Sequence, residues 1–352
     1  MASQAEPLVS VLTPVYNGEK LLAQSIRSVL AQTYSNFQYT IVNNCSTDRT
    51  LEIAESFAQQ DSRIRIHNNT DFLSVVDNHN KAFSLIPDDA KYCKVVGADD
   101  WLFPHCITEM VRLAEQYPNV GMVTSYVLCG TRVGWDGLPY PSAVMKGQEV
   151  CRLRLLKGLK VFGGPSASLL RCSVVRGMQP FYKLGNYHGD TEAYLDLLQK
   201  HDFGYVHQVL SYNRKGGEDS RTTGYLERVN SYPAADIEEL VRFGPIYLTD
   251  EERTLRLRQA TKRYYRFLAQ SVLELRNKEF WDYHRGRMRE LGTGINYFKL
   301  GRYVVYRILD AVLNPKRTIE GLVRRIMKRR QQDASAIRPA VPRETPAYSS
   351  GK

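Results

Sequence analysis

Short runs of β-branched and aromatic residues alternate with helix-period segments over the first hundred positions. No other feature of the chain constrains its fold as strongly. The runs are Leu8–Leu12, predicted to stop at Pro14, then Phe37–Val42, Arg63–His67 and Tyr92–Val96. Between them, Glu19–Gln32 places Leu22, Ile26, Val29 and Leu30 at helical spacing, and Val75–Leu85 reads as a further helix. Ser46-Thr47-Asp48 reads as the N-cap of a helix carrying Leu51, Ile53, Ala54 and Phe57. Pro104–Tyr117 and Val120–Tyr126 continue the series as helix and strand. Such repetition predicts an α/β fold with a mostly parallel sheet and helices on both faces. Ligands of such sheets bind at the carboxyl ends of the strands.

The chain has 352 residues, enough to bury a core without disulfide staples. Its six cysteines are dispersed and none forms a CxxC pair, which argues against a zinc ribbon or a thioredoxin-like site. Met1–Pro7 lacks the basic start and apolar run of a secretory leader, and no stretch approaches the roughly 18 apolar residues of a spanning helix. Both features predict a reducing, cytoplasmic setting. The region from about Gly130 to Gly189 is rich in Gly and Pro and suits loops lining a site. From Leu255 to about Arg330 the chain reads as helical and strongly charged, and the segment after it as a disordered tail.

The net charge is +11, yet residues 302–352 carry +8 of it and the other 301 residues only +3. A nearly neutral body with a basic tail argues against a nucleic-acid groove across the fold. Within the tail, Ile319, Leu322, Val323, Ile326 and Met327 form one apolar stripe, with Arg324, Arg325, Lys328 and Arg329 around the rest of the helix. Val305, Ile308, Leu309 and Val312 form a similar stripe upstream. Residues 318–330 therefore read either as a helix packed on the domain or as an interfacial helix on an anionic membrane, and the charge distribution favours the membrane.

Three polar segments at strand or helix ends carry candidate chemistry. Asp99-Asp100 closes a strand, where two acids suit Mg²⁺ or Mn²⁺ bridging a diphosphate, or where Asp100 caps the next helix. Asn43-Asn44 through Asp48 follows another strand, as a reader of a base edge or as a polar turn. Asp190 and Glu192 open a helix, as a general base or as acids answering the helix dipole.

Taken in order, these segments resemble the family 2 glycosyltransferases, which have the GT-A fold. The resemblance runs through Pro7–Asn17, Ser25–Tyr34, Ile41–Asp48, Gly97–Pro104, Gly163–Arg171, Gly189–Glu192 and Tyr212–Arg214, about residues 7 to 220. It implies a GT-A domain over residues 1–240, with a nucleotide-binding half at about 7–125 and an acceptor-side half at about 126–240. A basic helical extension over 241–330 and a tail over 331–352 would follow.

By position, the resemblance implies that Pro14, Tyr16, Asn17, Asn43, Asn44, Asp48, Asn80, Asp99 and Arg214 bind the donor. Tyr16 would border the nucleobase and Arg214 would meet the diphosphate. Asp99 and Asp100 would hold Mn²⁺ or Mg²⁺, and Asp190 would be the catalytic base, with Glu192 as its fallback. The chain departs from the family pattern at Asn43-Asn44, where the family has acids, and at Gly97, His79 and Lys215.

The implied activity is inverting transfer from a UDP-, dTDP- or GDP-sugar to a hydroxyl of a glycan or lipid-linked acceptor, in bacterial surface polysaccharide synthesis at the inner membrane face. Two rivals are a nucleotidyltransferase and a non-catalytic sugar-binding protein on the same fold. The first should carry a Gly-rich, Lys/Arg-bearing loop after the first strand, whereas Thr13–Gly18 has one Gly and no Arg.

Overall fold

The computed structural model describes residues 6–183, 188–214, 221–314 and 327. The elements in the first half are β1 (Val9–Val15), α1 (Leu22–Leu30), β2 (Phe37–Asn43), α2 (Thr50–Ala58), β3 (Ile64–Asn68), α3 (Val75–Ser84), β4 (Tyr92–Val95), β5 (Trp101–Leu102), α4 (Cys106–Gln116) and β6 (Val120–Cys129). There follow β7 (Arg132–Gly134), β8 (Val144–Met145), α5 (Gly147–Lys157), a 3₁₀ turn (Pro165–Ala167), β9 (Ser168–Arg171) and α6 (Cys172–Arg176). The last are α7 (Gly189–Leu197), β10 (Asp202–Asn213), α8 (Arg221–Val229), α9 (Tyr232–Tyr247), α10 (Asp250–Leu273), α11 (Lys278–Glu290) and α12 (Tyr297–Leu313).

The strands form one mixed sheet in the order β3-β2-β1-β4-β9-β6-β10-β5, with β7 on β6 and β8 on β10. β1 pairs in parallel with β2 and β4, and β6 with β10, whereas β9 is antiparallel to both β4 and β6. The connection changes direction beside β1, so the carboxyl ends of β1 and β4 flank the crevice where such sheets bind ligands. Val9, Val11, Tyr39, Ile41 and Tyr92 pack with Ile26 and Val29 of α1 and Met110 of α4 in the main core.

Two local expectations are corrected. β1 does not stop at Pro14; it runs on to Val15, with Pro14 opposite Val42 of β2. On the β4 side the pairing already ends at Leu12, so the donor that proline lacks is not needed there. Second, the Gly130–Gly189 region is not only loop: it contains α5, β9 and α6, and helix begins at α8 rather than near Leu255. In α5 the buried Val150, Cys151 and Leu155 alternate with Arg152 and Arg154, which blurs the apolar stripe.

By contacts the chain divides into two units. One takes residues 1–264 with 277–294, and the other takes residues 265–276 with 295–352. The sheet lies wholly in the first. The Thr318–Arg330 stripe lies outside the described residues apart from Met327, which is exposed.

Candidate active site

The site is built from the turn after β4. Asp99 and Asp100 are side by side there, and their carboxylates converge on the α-carbon of Gly97. A Cβ at position 97 would stand 2.9 Å from Asp100 Oδ2 and 3.1 Å from Asp99 Oδ1. Glycine at 97 thus gives the two acids room to converge. Ser166, in the 3₁₀ turn, organises the pair: its hydroxyl donates to Asp100 Oδ2 at 2.6 Å and accepts from the Gly97 amide at 2.9 Å. The Arg214 amide donates to Asp100 Oδ1 at 3.1 Å.

Burial and then the neighbouring Asp99 push Asp100 up to about 7, and burial also raises Asp99. Two adjacent half-buried acids lacking a full counter-charge are what a divalent cation satisfies. Among the described residues no third His, Cys, Asp or Glu joins them to complete a metal cluster. A cation held here would take its remaining ligands from diphosphate and water.

Behind the pair, β4 carries a fully buried lysine. Lys94 Nζ donates to the carbonyls of Ser166 at 2.9 Å and Ser168 at 3.3 Å, while burial lowers its pKa. This fixes the turn that presents Ser166.

Hydrogen bonds continue from this turn to α7. Ser168 Oγ lies 2.9 Å from Tyr194 Oη, one helical turn along from Asp190. Burial pushes Asp190 up to about 6, opposed by the Thr191 amide and the charge of Arg154. Glu192 is differently placed. It is buried, bonded to the Arg242 guanidinium, and 3.6 Å from Lys183 Nζ.

On the β1–β2 side, Asn17 occupies the left-handed region at φ 51°, which Asn tolerates, and its Oδ1 accepts from the Thr47 amide. Asp48 accepts from the Glu19 amide and from both donors of Thr50. Although burial pushes it upward, those bonds hold its carboxyl below the usual range. Tyr16 meets the half-exposed Phe72 edge to face, with ring centroids 4.8 Å apart.

The two asparagines after β2 are committed to the chain itself. Asn44 Nδ2 donates to the Leu73 carbonyl, and its Oδ1 accepts from the Leu73 amide and from Asn69. Asn43 bonds Asn68 and the Ser46 amide. Asn80 likewise brackets the backbone of Tyr182, donating to its carbonyl and accepting from its amide. The structure thus gathers Asp99, Asp100 and the Arg214 backbone at one turn, and uses Asn43, Asn44 and Asn80 to hold loops around it.

Residues 10–178 match the family described as Glycosyl transferase family 2. The matched stretch is 169 of the 352 residues, just under half of the chain. Among curated relatives, an uncharacterized glycosyltransferase of Haemophilus influenzae is 33% identical over 121 residues, covering 34% of this chain and 37% of the relative. EpsE of Bacillus subtilis is 31% identical over 152 residues, covering 41% of this chain and 54% of EpsE. The chain therefore spans about a third to a half of the length of these curated relatives.

Among solved structures, S. aureus TarS 1–349 in complex with UDP-GlcNAc superposes with a TM-score of 0.59 at 12% identity, over 80% of this chain and 81% of that one. The mannosyltransferase PcManGT from Pyrobaculum calidifontis, in complex with GDP-Man and Mn²⁺, gives 0.51 at 14% identity, over 87% and 88%. These likenesses establish the GT-A fold of the chain. The motifs did not single out Ser166, Lys94 or Phe72. The only sequence sign of the first is its place in Gly163–Arg171, and a lysine inside a strand ending in two acids marks the second.

Proposed function

We propose that the chain is an inverting glycosyltransferase, assisted by Mn²⁺ or Mg²⁺. It would move a sugar from a nucleotide-sugar donor to a hydroxyl of a glycan or lipid-linked acceptor in bacterial surface polysaccharide synthesis. The carrying observation is the convergence of Asp99 and Asp100 at the carboxyl end of β4, tied through Ser166, Ser168 and Tyr194 to the helix that opens with Asp190. A divalent cation on the two acids would supply charge to the departing diphosphate.

The chain's own groups do the rest. Arg214 adds positive charge beside the acid pair, and its guanidinium lies 6.0 Å from the Trp101 ring, which stacks on Tyr212. Asp190, half-buried and pushed up to about 6 by burial, would accept the proton of the attacking hydroxyl. Glu192 is held as a structural anion by Arg242 and Lys183. Tyr16 and Phe72 offer an aromatic corner for a base.

A thermal-shift panel of UDP-, dTDP- and GDP-sugars with and without Mn²⁺ tests this reading. At least one sugar nucleotide should raise the midpoint in a Mn²⁺-dependent way, by mass action. No shift with any member of the panel, metal present, would overturn it.

The setting proposed is the cytoplasmic membrane face, through residues 318–330. Support comes from α12 just upstream, where Val305, Ile308, Leu309 and Val312 are 46–69% exposed. No helix among the described residues is long and apolar enough to cross a membrane. The full chain should co-sediment with anionic liposomes at least ten-fold better than a chain ending at Pro315, and salt should weaken it, since each basic residue contributes about 1 kcal/mol near an anionic surface. Equal partitioning of the two chains would count against membrane attachment.

A further inference from the structure

Near the acid pair, three polar side-chain atoms have no hydrogen-bond partner among the described residues: Trp135 Nε1, Ser211 Oγ and Asn213 Oδ1, all of them buried. Buried polar atoms in a native fold are ordinarily satisfied, so such a group calls for an outside partner. Ser211 and Asn213 lie two apart on β10 and so share a face of the sheet; Tyr212, on the other face, stacks on Trp101. Ser211 is wholly buried.

The Gly163-Gly164 turn lies against this face. A Cβ built on Gly164 would meet only Asn213 Nδ2, at 3.6 Å, and one built on Gly163 would have Trp135 Cδ1 at 3.7 Å. Trp135 itself is pinned. It sits at φ 61°, a conformation unusual for a bulky residue, and its carbonyl accepts from Tyr205 Oη. An indole N–H that can only donate, an amide oxygen that can only accept and a hydroxyl that does both complement a ring bearing several hydroxyls.

We propose that Trp135, Ser211 and Asn213, grouped around the Gly163-Gly164 turn, form the subsite for the hydroxyl-bearing sugar ring of the donor, with Gly164 setting its size. This rests on the glycosyltransferase reading above. The donor's ring is the ligand, not the acceptor's, because Asn213 directly precedes Arg214, whose amide holds Asp100. A sugar on the outer phosphate of a diphosphate bound there would extend toward Asn213. Gly164 has φ −86° and ψ −177°, extended backbone open to any residue, and the space above it is free. A side chain at 164 therefore fills the subsite without straining the chain.

The test compares nucleotides with and without their sugar. UDP, GDP and dTDP, and UDP-GlcNAc, UDP-glucose, GDP-mannose and dTDP-glucose, are titrated calorimetrically with Mn²⁺ into the full-length wild type, Gly164→Val and Trp135→Phe. For the sugar nucleotide that wild type binds best, Gly164→Val should weaken binding at least ten-fold and Trp135→Phe about three-fold or more. The matching nucleoside diphosphate should bind all three proteins within two-fold. If wild type binds a sugar nucleotide and Gly164→Val loses none of that affinity, or loses the bare diphosphate equally, the subsite is refuted while the enzyme reading stands. If wild type binds none of the seven, the enzyme reading falls and takes the subsite with it.

Discussion

Asp100→Asn is expected to lower sugar transfer by about 10³-fold or more at pH 7.5 while raising the thermal midpoint of the metal-free protein. The two effects have one cause. Burial and Asp99 hold the Asp100 carboxyl at about 7 in the folded protein, against an ordinary 3.8. Between those values the folded state binds more protons than the unfolded state. Stability contributed by this group is therefore present at low pH and lost as pH rises toward 7. Asparagine keeps the shape and an acceptor for the Arg214 amide but carries no charge. Its gain in midpoint, a few degrees at pH 8 for a chain of this length, should shrink as the pH falls toward 4. Mn²⁺ with nucleotide should stabilise the wild type and not the variant. Transfer within ten-fold of wild type would remove Asp100 from the mechanism, and a lower midpoint at pH 8 would refute the electrostatic argument.

Asp190→Asn should reduce turnover by about 10²-fold or more and leave donor affinity within a few-fold, since asparagine keeps the size and hydrogen bonding but cannot take a proton. In the wild type, kcat/KM should rise with pH through about 6, where the Asp190 carboxyl is held, and the variant should lose that limb. Glu192→Gln should behave otherwise. It neutralises a buried acid that faces the partly exposed Arg242 and Lys183, so the loss should appear mainly as a modestly lower midpoint. If Glu192→Gln abolishes turnover at an unchanged midpoint while Asp190→Asn does not, the roles are exchanged.

The parts of this molecule legible in its sequence are those whose signal is local. Strands β1 to β4 are short apolar runs with polar turns at their ends; Asp99-Asp100 sits at such an end and Asp190 opens helix α7, so that residue type and position coincide. Ser166 was hidden because its meaning depends on partners 66 and 69 residues away, Asp100 and Gly97. Lys94 was hidden for the same reason, its acceptors being the carbonyls of Ser166 and Ser168. Asn43 and Asn44 show the opposite failing. Their place after β2 is conspicuous, yet their amides are used by Asn68, Asn69 and Leu73, a loop that a linear reading does not bring to them. The course of β1 past Pro14 needed knowledge of where β4 stops pairing.

The position of β10 in the sheet sets the order in which a nascent chain can complete the acid-pair turn. Among the described residues β5, which follows the acid pair, pairs only with β10, and the Arg214 amide that holds Asp100 comes one residue after β10 ends. The edge β3-β2-β1-β4 needs nothing beyond residue 95 for its pairing. A chain leaving the ribosome at about 5–20 residues per second thus has its first four strands available roughly 6–24 seconds before residue 214 is made. Throughout that interval Asp99 and Asp100 stand at the end of a partly built sheet without the backbone donor from Arg214. The β3-β2-β1-β4 edge can form early, but the acid pair gains the Arg214 amide only when β10 takes its place between β6 and β5.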